Sequence, residues 1–167
     1  SKLLKKHVIF GTDFVIYREL TGGIYFGEKK LSEDGTVASD LCEYSEKEIG
    51  RITHLAFKAA KNRRKKLTLV DKANVLETSR LWRKVVTRIS ESYPEVQLDF
   101  LFVDNAAMKM MLDPNDFDDF SLAPAYIEEH QHSVTSFTDA TLGDKSEYWI
   151  GRDPVYVQVI DANANFE

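Results

Sequence analysis

The sequence predicts an α/β fold, with a mixed, partly parallel sheet, helices packed on it and a projecting β-hairpin arm. Three observations carry that expectation. Between about residues 13 and 113, β-branched segments alternate with stretches of helical apolar spacing, an order that builds partly parallel sheets. Ser45 and Glu48 form an S-x-x-E capping pattern at the mouth of one such stretch. Asp34-Gly35 separates two short extended pieces and has the composition of a hairpin turn.

Taken in order, Asp13 to Glu19 (DFVIYRE) is rich in β-branched and aromatic residues and reads as a strand. Thr21-Gly22-Gly23 breaks it, and Ile24 to Phe26 reads as the start of a second extended piece. Ser32 to Thr36 is a turn, followed by an extended return through Val37 to Tyr44. The apolar residues here are few and interrupted, so the pair reads as a projecting arm. Ile49, Ile52, Leu55, Ala56 and Ala59 then give a helix one apolar face through about Arg63. Leu67 to Val70 is a short strand. Thr78 or Ser79 caps a helix carrying Leu81, Trp82, Val85, Val86 and Ile89, which ends near Tyr93-Pro94. Leu98 to Val103 is a strand, Asp104 or Asn105 can cap a short helix, and Asp113-Pro114 ends that helix.

The texture changes after Asp118. Ala123 to His132 reads as a short helix with Pro124 in its first turn, and Val134 to Ser146 as loop. Pro154 to Ile160 reads as a strand at a sheet edge, on account of its leading proline. No linker composition marks a boundary, so residues 1–167 are expected to form a single α/β domain, with 119–167 packed on the same sheet.

Composition narrows the function. The 167 residues are 43% hydrophobic and 29% charged, ordinary for a soluble domain. No apolar run reaches membrane-span length, and no signal-peptide layout opens the chain. The net charge of −5 argues against general nucleic-acid binding. The basic run Lys61 to Lys66 (KNRRKK) reads as the solvated end of a helix, with a phosphate patch as the alternative. A single cysteine, Cys42, excludes an internal disulfide framework and fits a reducing, cytoplasmic compartment. Glu128, Glu129, His130 and His132 form a possible ligand cluster that lacks a third spaced partner, and a solvated helix end explains them as well. His7 and His54 have no partner that singles them out.

Local chemistry alone leaves several residues with ordinary roles. Lys72 is a charge at a strand end, Tyr44 a ring flanking a helix start, Asp104 a helix cap and Arg18 half of an ion pair. Three strings change that reading: VDKANVLETSRLWRKV at Val70 to Val85, RELTGGIYFGE at Arg18 to Glu28 and VDNAAM at Val103 to Met108. Together, and in their order along the chain, they resemble the isocitrate/isopropylmalate dehydrogenase family, specifically the second, subunit-pairing domain of 3-isopropylmalate dehydrogenases. The resemblance runs from about Gly11 to Asp118 and leaves Asp119 to Glu167 unmatched.

The resemblance implies an NAD-dependent oxidative decarboxylation in leucine biosynthesis. It makes Lys72 the catalytic lysine that assists hydroxyl deprotonation and Tyr44 the proton donor to the enolate. Arg18 becomes a binder of the substrate carboxylate, Asp104 a metal ligand, and Asn74 and Val75 neighbours of the nicotinamide and substrate. A lysine serves as a base only where burial or nearby positive charge favours its neutral amine. The arm, about Gly22 to Asp40, implies a homodimer, and the retained site residues imply a small dicarboxylate as ligand; charge and hydropathy point to no nucleic-acid or membrane partner.

The family uses NAD with Mg or Mn, and the sequence departs from its pattern here. The family's Gly-Asp-x-x-x-Asp motif has no counterpart, because Gly143-Asp144 is followed by Tyr148 where the second aspartate belongs. Two further substrate-binding arginines and the adenosine-binding loops are also missing, and no G-x-G-x-x-G replaces them. The expectation is a truncated or recombined domain that keeps fold and dimer, binds neither cofactor tightly and has little or no turnover alone. The alternative is a dicarboxylate- or metal-binding protein, or a residual enzyme, using the retained half-site.

Overall fold

The computed structural model describes residues 10–117 together with the backbone of three strands at 119–122, 147–150 and 153–161. The expected helix at 123–132 and loop at 134–146 lie outside the described residues. So do His7, the Glu128 to His132 cluster and Gly143-Asp144.

Among the described residues, six strands form the main sheet: β1 (Asp13–Arg18), β4 (Lys66–Asp71), β5 (Gln97–Phe102), β6 (Asp119–Leu122), β7 (Glu147–Ile150) and β8 (Asp153–Asp161). Their spatial order is β5-β4-β6-β1-β8-β7. Every neighbouring pair is parallel except β7 with β8. The strand expected at Pro154 to Ile160 therefore exists, but not at the sheet edge. β8 pairs with β1 on one side and with β7 on the other, so β7 is the edge strand and Pro154 opposes Trp149. Proline at the second residue of β8 leaves most of the ladder to the strand's later residues.

The helices α1 (Glu46–Lys61), α2 (Glu77–Ser90) and α3 (Val103–Leu112) divide between the two faces. On one face, Val15, Tyr17, Leu67 and Leu69 pack with Ile49, Ile52, Ala56 and Phe57 of α1 and with Trp82, Val85 and Val86 of α2. On the other face, Phe14, Ile16 and Val70 pack with Val103 and Ala106 of α3 and with Phe117. Alternate residues of β1 go to opposite cores, which is the period-two geometry of a strand buried on both sides.

The capping box at α1 is present: the Ser45 hydroxyl accepts from Glu48 N–H, and the Glu48 carboxylate accepts from Ser45 N–H at 2.7 Å. Three expectations at element ends need correction. α2 begins at Glu77 behind Leu76 with no side-chain cap, and the hydroxyl of Ser79 accepts the backbone N–H of Lys72 instead, at 3.2 Å. α3 begins at Val103 behind Phe102, so Asp104 lies inside its first turn, where a negative charge suits the helix dipole without capping it. Ile24 to Phe26 is not extended: Gly23–Tyr25 is a 3-10 turn, closed by the Gly27 N–H on the Gly23 carbonyl at 3.1 Å.

The arm is a separate two-stranded ribbon of β2 (Lys29–Leu31) and β3 (Ala38–Asp40), and all six residues are exposed. The return does not stay extended through Tyr44. Its tip is organised by Asp34, whose carboxylate accepts from Ser32 Oγ at 2.5 Å and from Thr36 N–H at 3.1 Å.

The basic run is occupied by internal contacts. Lys61 pairs with Glu95 at 2.7 Å, Arg63 with Asp13 at 3.0 Å and Lys66 with Asp116 at 3.0 Å, while Arg64 donates to the Asn115 and Phe117 carbonyls. These bonds tie the end of α1 to the amino edge of the sheet.

Candidate functional site at the carboxyl ends of the parallel strands

In open parallel sheets, ligands bind beyond the carboxyl ends of the strands. Here β1 ends at Arg18, β4 at Asp71 with Lys72 next, and β5 at Phe102 with Asp104 two residues on. Strand alternation sorts their side chains. Val70 belongs to the α3 face, so Asp71 turns to α2 and Lys72 returns to α3. Ile16 belongs to that same α3 face, which puts Arg18 there as well. The Lys72 Nζ and Asp104 Oδ2 form an ion pair, with side chains 25% and 62% exposed.

Arg18 is level with Leu122, which is level with Val70. Two interstrand steps therefore separate the strand bearing Arg18 from the one bearing Lys72, roughly 10 Å. The structure thus brings Lys72 and Asp104 into contact and puts Arg18 on the same face and the same edge.

Tyr44 sits in the other layer. Its ring is 5% exposed and meets Trp82 edge-on, with centroids 5.5 Å apart. Its hydroxyl lies against Gly23, where any Cβ would collide with the ring, and Gly23 has a φ of +69°. The Thr21-Gly22-Gly23 break thus makes the space in which Tyr44 sits. Beside it, an open groove of about 590 Å³ runs between the base of the arm and the start of α1.

Asn74 and Val75 are exposed, Val75 at 61%, on the turn whose Val75 and Leu76 N–H groups both donate to the Lys72 carbonyl at 2.9 Å.

Sequence reasoning missed two buried carboxylates that neighbour the candidate cations. Asp71 is fully buried and forked by Arg83, with Nε to Oδ2 at 2.6 Å and Nη2 to Oδ1 at 3.1 Å. Arg83 in turn lies over the rings of Phe100 and Phe102, about 5 Å from each centroid. Glu19, also fully buried, accepts from Thr21 N–H at 2.7 Å and pairs with Arg51 at 2.6 Å. The available signal was an acid beside each motif cation, in RE and DK, together with an arginine on the helix that packs behind it.

Cofactor fit is limited. Among the described residues, no three His, Cys, Asp or Glu side chains gather as a metal site, and Asp104 is engaged by Lys72. Magnesium needs about six oxygens, so the described residues do not make up a metal site. Among the described residues, no glycine-rich turn opens an α-helix to cradle a dinucleotide.

The fold is that of the open α/β class, in which the carboxyl edge of the parallel strands is the usual place for a ligand. The comparisons narrow the class. Residues 1–143 match the profile of the isocitrate/isopropylmalate dehydrogenase family, running past Asp118. The 3-isopropylmalate dehydrogenase of Desulfitobacterium hafniense is 53% identical over 118 residues, which is 71% of this chain and 34% of that protein. The 3-isopropylmalate dehydrogenase of Pseudoalteromonas translucida is 56% identical over 110 residues, 65% of this chain and 31% of that protein. The crystal structure of isocitrate dehydrogenase from Methylococcus capsulatus superposes with a TM-score of 0.63 at 32% identity, covering 68% of this chain and 35% of the other. The chain belongs to the isocitrate/isopropylmalate dehydrogenase family. It spans about a third of the length of the curated relatives it matches.

Proposed function

We propose that this chain is the subunit-pairing, lysine-bearing part of a 3-isopropylmalate dehydrogenase-type oxidative decarboxylase. The observation that carries the reading is the placement of Arg18, Lys72 and Asp104 on one face at the carboxyl edge of the parallel strands, with Lys72 held by Asp104.

In this reading Arg18 binds a substrate carboxylate through charge-assisted hydrogen bonds. Lys72 is assigned to the substrate hydroxyl and can accept its proton only in a state in which the ion pair with Asp104, which holds the side chain at the strand end, is broken. The Tyr44 hydroxyl, which the family pattern makes the proton donor to carbon, lies beside Gly23 in the other layer and does not join the Arg18 and Lys72 edge within one copy. Asn74 and Val75 present the exposed turn on which the nicotinamide and substrate rest. NAD, with Mg or Mn, supplies the hydride acceptor and the carbonyl polarisation when bound. The described residues do not complete either site, so no step is assigned through them.

The arm supports pairing of two copies. Leu31 and Val37 are 69% and 65% exposed on a ribbon that, among the described residues, is strand-paired only to itself, and an isolated two-stranded ribbon is marginal in water. Residues 1–167 are read as one α/β domain. The second reading, a dicarboxylate-binding half-site without turnover, rests on the same Lys72–Asp104 contact.

Calorimetric titration with 3-isopropylmalate tests both. The expected result is saturable heat at millimolar ligand that is lost in Arg18→Ala and Lys72→Ala. No heat from the native chain, or heat unchanged in both variants, contradicts the proposal.

A further inference from the structure

The first turns of α2 grip the backbone that carries Lys72 at three points. Ser79 Oγ accepts the Lys72 N–H at 3.2 Å, Arg80 Nε donates to the Ala73 carbonyl at 3.0 Å, and Asp71 Oδ1 accepts the Ala73 N–H at 2.9 Å. The third grip is itself held from α2, because Arg83 forks both oxygens of Asp71.

Arg83 cannot drift from this position cheaply. Phe100 and Phe102 of β5 flank its guanidinium, and its side chain is 33% exposed while that of Asp71 is fully buried. A buried pair of this kind is a poor source of stability, since apolar residues of similar volume often serve as well or better. What it does fix is direction. With Asp71 pinned to the α2 face, strand alternation sends Lys72 to the α3 face, where Asp104 lies.

We propose that Arg83 is a positioning residue for Lys72: through Asp71 it locks the strand-end turn that delivers the Lys72 amine to Asp104. The inference rests on the reading of Lys72 as the working lysine, and it concerns a side chain that touches no ligand.

The test is nuclear magnetic resonance of the full chain labelled with 13C-lysine and 15N, in the native protein and in Arg83→Lys. The variant keeps the charge and loses the planar fork. Lys72→Arg assigns the Lys72 signal, and Asp104→Asn gives its position without the carboxylate. In Arg83→Lys, the Lys72 side-chain signal should move to its Asp104→Asn position. Amide exchange at Lys72 and Ala73 should rise about five- to tenfold relative to Leu69, as expected for loss of one ordinary hydrogen bond. A merely structural role would raise all three amides together and leave the Lys72 signal in place, and that result overturns the inference.

If Arg83→Lys does not fold, Ser79→Ala removes one grip alone, and selective exchange at Lys72 is expected there. Uniform exchange in that variant also overturns the inference. No ligand enters this experiment. Failure of 3-isopropylmalate to bind would sink the functional reading alone, whereas an Lys72 signal indifferent to α2 would sink the positioning role alone.

Discussion

Removing the indole of Trp82 should cost about 2–4 kcal/mol, and the structure sets that figure from two opposing effects. The ring is fully buried between α1, α2 and the sheet, and Tyr44 meets it edge-on at 5.5 Å. Truncating a buried aromatic to alanine costs about 3–5 kcal/mol, with the lost ring pair included in that range. Against this, the Trp82 indole N–H is buried with no hydrogen-bond partner among the described residues. Deleting an unsatisfied donor returns about 1 kcal/mol or more. Trp82→Phe keeps most of the volume and drops the donor, so it should cost no more than about 1 kcal/mol. Urea unfolding followed by far-ultraviolet circular dichroism measures both. A Trp82→Ala loss under about 0.5 kcal/mol would have the size of a surface change and refute the buried placement. Equal losses for the two variants would refute the reasoning about the donor.

Three further outcomes follow from the same geometry. Gly23→Ala should destabilise by about 2 kcal/mol or more in urea unfolding, because φ is +69° and the new methyl meets the Tyr44 ring; a neutral result would mean that Tyr44 does not sit against Gly23. Lys72→Ala should change stability by less than about 1 kcal/mol, since the Asp104 carboxylate of its pair is 62% exposed; a loss of several kcal/mol in urea unfolding would make Lys72 a structural residue. The Asp34 carboxyl is lowered from its usual value of 3.8 to about 2 by hydrogen bonds from Ser32 and Thr36. Being depressed in the fold, it contributes stability above about pH 4 that is lost as pH falls through about 2. A carboxyl midpoint near 4, read by nuclear magnetic resonance, would contradict the hairpin-tip geometry.

The sequence made the central strands and helices legible because their cues are local. The alternation in DFVIYR and the spacing from Ile49 to Ala59 reflect burial that the sheet and helix periods require. Element ends were less legible. Ser79 has the chemistry of a cap, but the nearby Lys72 N–H claims its hydroxyl, a contact that depends on how α2 docks. Pro154 pointed to an edge, and only the strand order reveals that β7 covers β8. At the site, the strings around Lys72, Arg18 and Asp104 named the groups through resemblance, and the shared sheet face needed the fold. Asp71 and Glu19 escaped notice because a carboxylate reads as a surface residue until a helix arginine is seen to bury it.

We propose that Arg18, Lys72 and Asp104 form one ligand-facing edge. Chemical-shift mapping of the native chain with 3-isopropylmalate tests this directly. Signals of Arg18, Lys72, Asp104 and the Asn74–Val75 turn should move together with one saturation curve, while those of the hairpin tip at Asp34 stay fixed. Shifts centred on the amino edge around Asp13 and Arg63, or no shifts at millimolar ligand, would contradict it.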